Sequence, residues 1–550
     1  MDLQFIEEHM RTNTQQQMHF ANTPQVDSPR STFIREMGHK TTINQGLCIP
    51  IYHDEILPGD TVQMDMLIFA RFSTLIVPVM DTLYIDYHWF FCPYRLVWSD
   101  WQGFIAGGDN DPNYIPPAST PYIVSQNSAL AFEFDPLTLG DYLGLPTGVS
   151  IWDETHISPF PGRAYRQIWN DWYRDENIDA LVAFQRGLTS PVSLYGTGNN
   201  PSLLPRNKRK DYFTSALPWP QKGPDSTLFG GASVVSNGNP FRLAVIQGGI
   251  TASSSPVSAN TAGVLIAGGI TQANKDLSWG TETGLRVDST TSFTINGLRE
   301  AFQIQRFYER DARGGNRYIE SLYSHFGVTS DDARLQRSEY LGGGSTQLQI
   351  NAVPQTSQTT FESPKADLSA YGTTLGGSNG GFIKSFTEHG VLMCIASVRQ
   401  DQTYQGGLHR SWTRKTKFDF YWPVFAHLGE QAIKHQELHF HEQSSKDQSL
   451  QLNERTFGFQ ERWAEYRYSP SLITGLFRSN NPQSLDIWHL SQDYTGKYPI
   501  LNKDFIREQV PTERIKAVID EPDFLVDASF RGKWTRVMPT YSIPGMVDHF

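Results

Sequence analysis

The chain has 550 residues, with 46 Lys and Arg against 57 Asp and Glu, and a net charge of −11 with neutral His. Charged residues make up 19% and aromatics 13%, the reverse of a disordered composition and below the roughly 25% charge of ordinary globular proteins. The length exceeds what one core needs, so several sub-structures or long insertions are expected, and the acidic balance argues against binding nucleic acid through overall charge. The longest apolar runs, Gly390–Val398 and Ala262–Ile270, reach about half of the roughly 18 residues of a membrane helix. Asp2, Glu7 and Glu8 near the start, with no apolar stretch, do not read as a secretory signal. Three cysteines, Cys48, Cys92 and Cys394, are too few and odd in number for a disulfide scaffold; free thiols in a reducing compartment are expected.

Residues 1–30 are polar and Gln/Asn/Thr-rich and read as an extended arm. Leu57-Pro58-Gly59-Asp60 reads as a turn leading into a strand. From Val62 to Phe72 the even positions are apolar and the odd ones mostly polar, which predicts a half-buried strand. Leu83 to Tyr94 repeats the pattern, with Leu83, Ile85, Tyr87, Trp89 and Phe91 on one face. Further strands are expected at Val391–Val398, Lys417–Trp422, Leu485–Leu490 and Trp534–Tyr541. Helices are expected over 161–176, with Tyr165, Ile168, Trp169 and Trp172 on one stripe, and over 298–312 and 316–326, separated by Gly314-Gly315. The chain therefore reads as a β scaffold with large, partly helical excursions. Residues 221–290 differ, being dominated by Gly, Ser, Ala, Thr and Asn. They read as a flexible linker or as a folded surface insertion that varies without disturbing the scaffold; Phe241–Ile246 and Gly263–Ile266 are apolar enough for small strands.

No enzyme signature stands out. Gly376-Gly377-Ser378-Asn379-Gly380 matches the nucleophile-elbow string, but no buried strand-to-helix context flanks it, and it reads as a turn. His435 and His439 have zinc-compatible spacing, with His441 beyond. Gln436 stands where the zincin pattern needs Glu, so a solvated helix end is expected. Paired acids for glycoside chemistry are not adjacent in sequence and leave no signature. The dense basic cluster is Arg206, Lys208, Arg209 and Lys210. It reads as a solvated loop or as a phosphate contact, with Tyr212, Phe213 and Trp219 available to stack on unpaired bases.

Long strings carry a more specific signal. They include Asp54-Glu55-Ile56-Leu57-Pro58-Gly59-Asp60, Pro93-Tyr94-Arg95-Leu96-Val97-Trp98, Arg163-Ala164-Tyr165 and Trp169-Asn170-Asp171-Trp172-Tyr173-Arg174-Asp175. Asp211 to Gly223, Ala301 to Gln305, Tyr308 to Gly315 and Tyr340 to Gly344 continue the series to the terminal Asp548-His549-Phe550. Together they resemble the major capsid protein of the small single-stranded DNA phages, the Microviridae, and within them the gokushovirus group. The resemblance spans nearly the whole chain except about 221–290.

The resemblance implies one all-β domain over 1–550, an eight-stranded antiparallel viral jelly roll with long, partly helical insertions. It implies a non-enzymatic homo-oligomer of 60 copies in a T=1 shell around a circular single-stranded DNA genome, with no cofactor. It further implies a small basic DNA-binding virion protein, minor pilot or spike-type virion proteins, and a bacterial host surface receptor. Location in the virion and assembly in the host cytoplasm follow, as does a variable threefold protrusion, for which 221–290 is the candidate. Aromatic-rich, charge-poor surfaces suit permanent interfaces, and an acidic chain needs cations from elsewhere to neutralise a genome. The rivals, a β-rich carbohydrate-active enzyme and an adhesin, share the aromatics but not the long strings.

Overall fold

A computed structural model describes residues 29–541, leaving out 107–114, 116, 126–130, 198–199, several stretches between 224 and 294, 316, 330, 332–335, 355, 357–367, 377–379 and 443–445. The expected arm over 1–30 lies outside the described residues except for Pro29 and Arg30, and Ser378 of the glycine-rich string lies outside them too. The chain forms two compact units, one of residues 1–220 and 316–550, the other of residues 221–315.

Two antiparallel sheets form the centre of the larger unit. Their eight longest strands are β1 (Ser31–Ile43), β2 (Leu47–Ile56), β3 (Thr61–Phe72), β4 (Leu83–Pro93), β5 (Glu339–Gln347), β6 (Leu368–Gly376), β7 (Gly390–Gln400) and β8 (Phe524–Arg536). One sheet has the order β1-β8-β3-β6, extended by Gln349–Pro354 beside β6, while Phe382–Ser385 also pairs with β3. The other has the order β5-β4-β7-β2, with the short strand Leu204–Pro205 beside β2. Residues 94–338 lie between β4 and β5, and residues 401–523 between β7 and β8.

The turn into β3 forms as its sequence demands. Gly59 sits at φ +87°, where a side chain is strained, and the buried Asp60 carboxylate accepts the Leu57 N–H at 3.0 Å. Strand β3 then alternates as expected: Val62, Met64, Met66, Ile68, Ala70 and Phe72 are buried while Leu67, Phe69 and Arg71 face out. Its inward side chains meet Ile85, Tyr87, Trp89 and Phe91 of β4 and Leu392, Cys394, Ala396 and Val398 of β7 in one core between the sheets.

Strands β4 and β7 have a second buried face. Phe90 and Cys92, with Val391, Met393 and Ile395, point away from the first core into another. There they meet Ala164, Tyr165 and Ile168 of helix α1 (Phe160–Ile168). This explains why β7 is buried along its whole length and why its sequence is a continuous apolar run. All three cysteines are free and buried within these cores. Burial pushes the Cys48 thiol up to about 12, against a smaller opposing effect of Arg206, and raises the other two thiols as well.

Helix α1 is shorter than the expected 161–176. It gives way to a wider π turn over Trp169–Tyr173, and the chain is extended by Arg174. Within that turn Trp169 Nε1–H donates to Pro205 O at 2.7 Å and Trp172 Nε1–H to Ser338 O at 3.1 Å. Asn170 exchanges two hydrogen bonds with the Val182 backbone. These tertiary ties override the local helical preference. Arg163 is fully buried, and burial lowers its pKa to about 10. Its guanidinium donates to Val97 O at 3.1 Å, Gly187 O at 2.7 Å, Thr189 O at 3.2 Å and Ser190 Oγ at 2.9 Å.

Two expected strands are not strands. Residues 417–422 begin with a 3-10 turn, Lys417–Asp419, because the Asp419 carboxylate accepts the N–H groups of Lys415 and Thr416 and closes the chain on itself. Residues 486–488 form another 3-10 turn. At the C-terminal end, β8 begins at Phe524 and stops at Arg536 rather than running to Tyr541.

The smaller unit contains a four-stranded sheet in the order Leu265–Ala267, Ile250–Ala259, Arg242–Gln247, Asp276–Trp279, and a two-stranded pair, Ser233–Ser236 with Leu285–Asp288. Helix α2 (Ile295–Gly314) completes it, and Lys222 Nζ donates to Asp311 O in its last turn and to Gly315 O just beyond it. The compositional shift at 221–290 thus falls within a unit that also takes in this helix. Helix α3 (Tyr318–Phe326) belongs to the larger unit and ends at Gly327, φ +69°.

Trp89 is fully buried at the centre of the inter-sheet core, between Tyr52, Phe382 and Phe530. Trp89→Ala is expected to cost about 3–5 kcal/mol, read as a lowered urea midpoint of the dissociated subunit. Leu525→Ala, on the exposed face of β8, should shift it by no more than about 0.5 kcal/mol.

Candidate nucleic-acid interface at residues 204–219

The basic cluster follows the edge strand Leu204–Pro205, which pairs with Leu47 and Cys48. The Arg206 N–H donates to Gly46 O at 2.8 Å, and this pairing places the Arg206 side chain against β4 and β7. Its guanidinium donates to Asp86 Oδ2 at 2.6 Å and to Ser397 Oγ at 2.5 Å. Arg399 Nε donates to the same Asp86 oxygen at 2.8 Å, and Ser345 Oγ donates to Oδ1 at 2.5 Å. Burial alone would raise the pKa of Asp86. The two guanidinium groups and the hydroxyl outweigh it and hold this carboxyl below its ordinary range.

Lys208 is also buried. Its Nζ donates to Gln492 Oε1 at 2.7 Å and lies 4.7 Å from the centre of the Phe505 ring. Burial pushes its pKa down to about 8, against the pull of Glu508 and Asp211. Glu508, equally buried, is pushed up to about 7 by desolvation, against the pull of Lys208 and Arg206. Tyr212 and Phe213 belong to a third core, with Tyr404, Ile433, Phe457 and Phe505. The Tyr212 hydroxyl donates to Glu437 Oε2 at 2.9 Å, and Phe213 packs against Tyr404 with ring centres 4.8 Å apart.

The expected single patch of four cations and three stacking rings is therefore divided. Arg206 and Lys208 face inward on internal partners, and Tyr212 and Phe213 have no ring face left for a base. Arg209 is 69% exposed, with Asp401 3.7 Å away, and Lys210 is 56% exposed beside Asp175. Trp219 is half-buried. The partners Asp86, Ser345, Ser397 and Arg399 escaped the sequence reading because they lie more than 100 residues away. One signal was present: Asp86 stands in an otherwise aromatic strand, and a carboxylate there needs a cation from somewhere.

The histidines expected at a solvated helix end are packed instead. His435 and His441 are buried, and His441 stacks on Tyr498 with ring centres 4.3 Å apart. Burial, then the neighbouring His439 and His435, lower the His441 pKa to about 4. Among the described residues no group of three or more His, Cys, Asp or Glu side chains is placed to hold a metal ion.

A family model described as "Capsid protein (F protein)" matches residues 21–546. The chain belongs to this phage capsid protein family. It is 42% identical to capsid protein VP1 of Bdellovibrio phage phiMH2K, over 96% of this chain and 98% of the relative. Identity to VP1 of Chlamydia phage 1 is 36%, over 96% and 97%. Identity to VP1 of Spiroplasma virus 4 is 35%, over 94% and 95%. These are gokushoviruses, the group that the sequence strings resemble. A member of this family is a structural protein of the virion, not an enzyme, and the ion cluster around Asp86 fits that role: it ties β4, β5 and β7 to the incoming segment 204–206 and presents no exposed chemistry.

Two predictions follow from this geometry. Asp86→Asn leaves two buried guanidinium groups without their carboxylate and is expected to destabilise the subunit by about 3–5 kcal/mol, measured by chemical denaturation. The buried Glu508 keeps its proton to about pH 7 while the unfolded chain loses it near 4.5, so stability is expected to fall as pH rises between those values. Lys208 gives up its proton near pH 8 when folded and near 10.5 when unfolded, so stability is expected to rise again across that interval. Glu508→Gln should abolish the fall between pH 4.5 and 7 in a series of urea titrations.

Proposed function

We propose that this capsid protein is the repeating subunit of a closed T=1 icosahedral shell of sixty copies around a circular single-stranded DNA genome, built in the host cytoplasm. The observation that carries the reading is the near-complete match to gokushovirus capsid proteins on a chain with two facing antiparallel sheets. The fold itself we assign to the eight-stranded viral jelly roll. Strand order supports this: numbered along the chain, the long strands run 1-8-3-6 in one sheet and 5-4-7-2 in the other. The first and last strands are neighbours, and each sheet draws strands from both halves of the roll, as two interleaved Greek keys require. The long connections at 94–338 and 401–523 are then the insertions.

Residues 221–290 we assign to the outer surface and to host attachment. Support comes from their composition and from their place in a unit with its own sheets, which allows variation without repacking the cores. For the genome we keep Arg209 and Lys210 as phosphate contacts, with Trp219 as a stacking ring. Arg206, Lys208, Tyr212 and Phe213 are supporting structure beneath them. A small basic virion protein supplies further neutralising charge, and minor virion proteins complete the particle.

Electron microscopy of the purified protein tests the shell: uniform closed particles are expected, and only discrete monomers or dimers would count against it. For the genome contact, replacing Arg209 and Lys210 by Gln should lower subunit stability by no more than about 1 kcal/mol, the worth of their pairs with Asp401 and Asp175. Each lost phosphate contact should reduce the single-strand salt slope by about 0.7, so genome retention at moderate salt should drop. Unchanged salt sensitivity would leave these two residues as solvated charges.

A further inference from the structure

The segment 410–428 is the most exposed apolar stretch among the described residues, and nothing in the shell reading above says what covers it. Trp412 and Val424 are 81% and 88% exposed, and Phe418, Phe420, Tyr421 and Trp422 are each about half exposed. A full aromatic side chain offers about 150–250 Å², so these six side chains leave on the order of 700 Å² of largely apolar surface outside. That exceeds the roughly 300–600 Å² of the largest patch on a typical monomer. It approaches the roughly 800 Å² that each partner contributes to a standard protein interface.

The stretch is ordered from within. Asp419 closes the Lys417–Asp419 turn, and Trp422 Nε1–H donates to Lys417 O at 2.8 Å. Arg414 lies 4.6 Å from the centre of the Tyr466 ring and 5.2 Å from that of Phe420, and Tyr421 meets Trp463 edge-on. Rings held outward by such contacts lose little side-chain entropy on docking.

Charge decides between occupants. The segment contains Arg410, Arg414, Lys415 and Lys417 against Asp419, which on paper suits a polyanion. Two of those cations are already answered by buried carboxylates: Arg410 pairs with Glu437 at 2.7 Å and Arg414 with Glu465 at 3.6 Å. Lys415 and Lys417 against Asp419 leave about one net positive charge, too little for a phosphate track. Val424 has no π face for a base. Exposed Trp, Tyr, Phe and a neutralised Arg, with few acids, match the centre of a protein interface.

We propose that residues 410–428 form a contact between neighbouring copies of this chain, Trp412 and Val424 being its anchors. The inference rests on the shell reading above and names one of its joints. A double variant, Trp412→Ala with Val424→Asp, changes only exposed side chains. The expected result is a folded subunit, with unaltered circular dichroism and melting, and at least tenfold fewer sedimenting particles than the parent chain. Equal particle yield from the variant, with the parent closing normally, would overturn the proposal and leave the shell reading standing. A parent chain that never closes under any condition would overturn both. Independently, a photo-crosslinking amino acid placed at Val424 in intact particles should give chain–chain dimers on irradiation. Crosslinks only to DNA, or only to another virion protein, would overturn the assignment.

Discussion

Strands β4 and β7 bury both of their faces, and one sheet therefore needs two covers. The partner sheet supplies one, through β3 and β8. The second must come from outside the strand set, and helix α1 with its π turn provides it, anchored by Arg163, Tyr165 and Trp169. Much of the region between β4 and β5 is organised around this need. The segment 204–206 rejoins the sheet at β2, and there Arg206 meets Asp86. The buried carboxylate is tolerable only because two guanidinium groups and a serine hydroxyl reach it. The core and the insertion thus depend on each other.

The same constraint sets what was legible in the sequence. Strand β3 could be placed within one residue because one of its faces meets solvent and stamps a period of two on the side chains. The apolar run at 390–398 carried no such period, since both its faces are covered. Residues 161–168 displayed their helical stripe, but the widening at Trp169 depends on acceptors at Pro205 and Ser338 that no local pattern announces. The aromatic string at 417–422 looked like a strand because β-propensity reports packing against neighbours; among the described residues no strand pairs with it, and Asp419 bends the chain instead.

The division of the basic cluster was not legible for a related reason. Charge density along the sequence says nothing of which carboxylates arrive from elsewhere. Within 206–210, Arg206 and Lys208 turn inward while Arg209 and Lys210 stay exposed. Two aromatic neighbours, Tyr212 and Phe213, then close a third core that the chain assembles from residues nearly 300 positions apart. A local cluster of one chemical type was divided between structure and surface.

The three buried thiols have a practical corollary. Cys48, Cys92 and Cys394 are the only cysteines in the chain, all are enclosed, and all are held protonated by their surroundings. Alkylating reagents act on the exposed thiolate and have no target in the folded subunit. A cysteine introduced at an exposed position such as Leu525 would be the one reactive thiol per copy. The folded subunit therefore offers no native thiol to such reagents, and it could carry a dye, a spin label or a cargo at a chosen address without removal of any native cysteine.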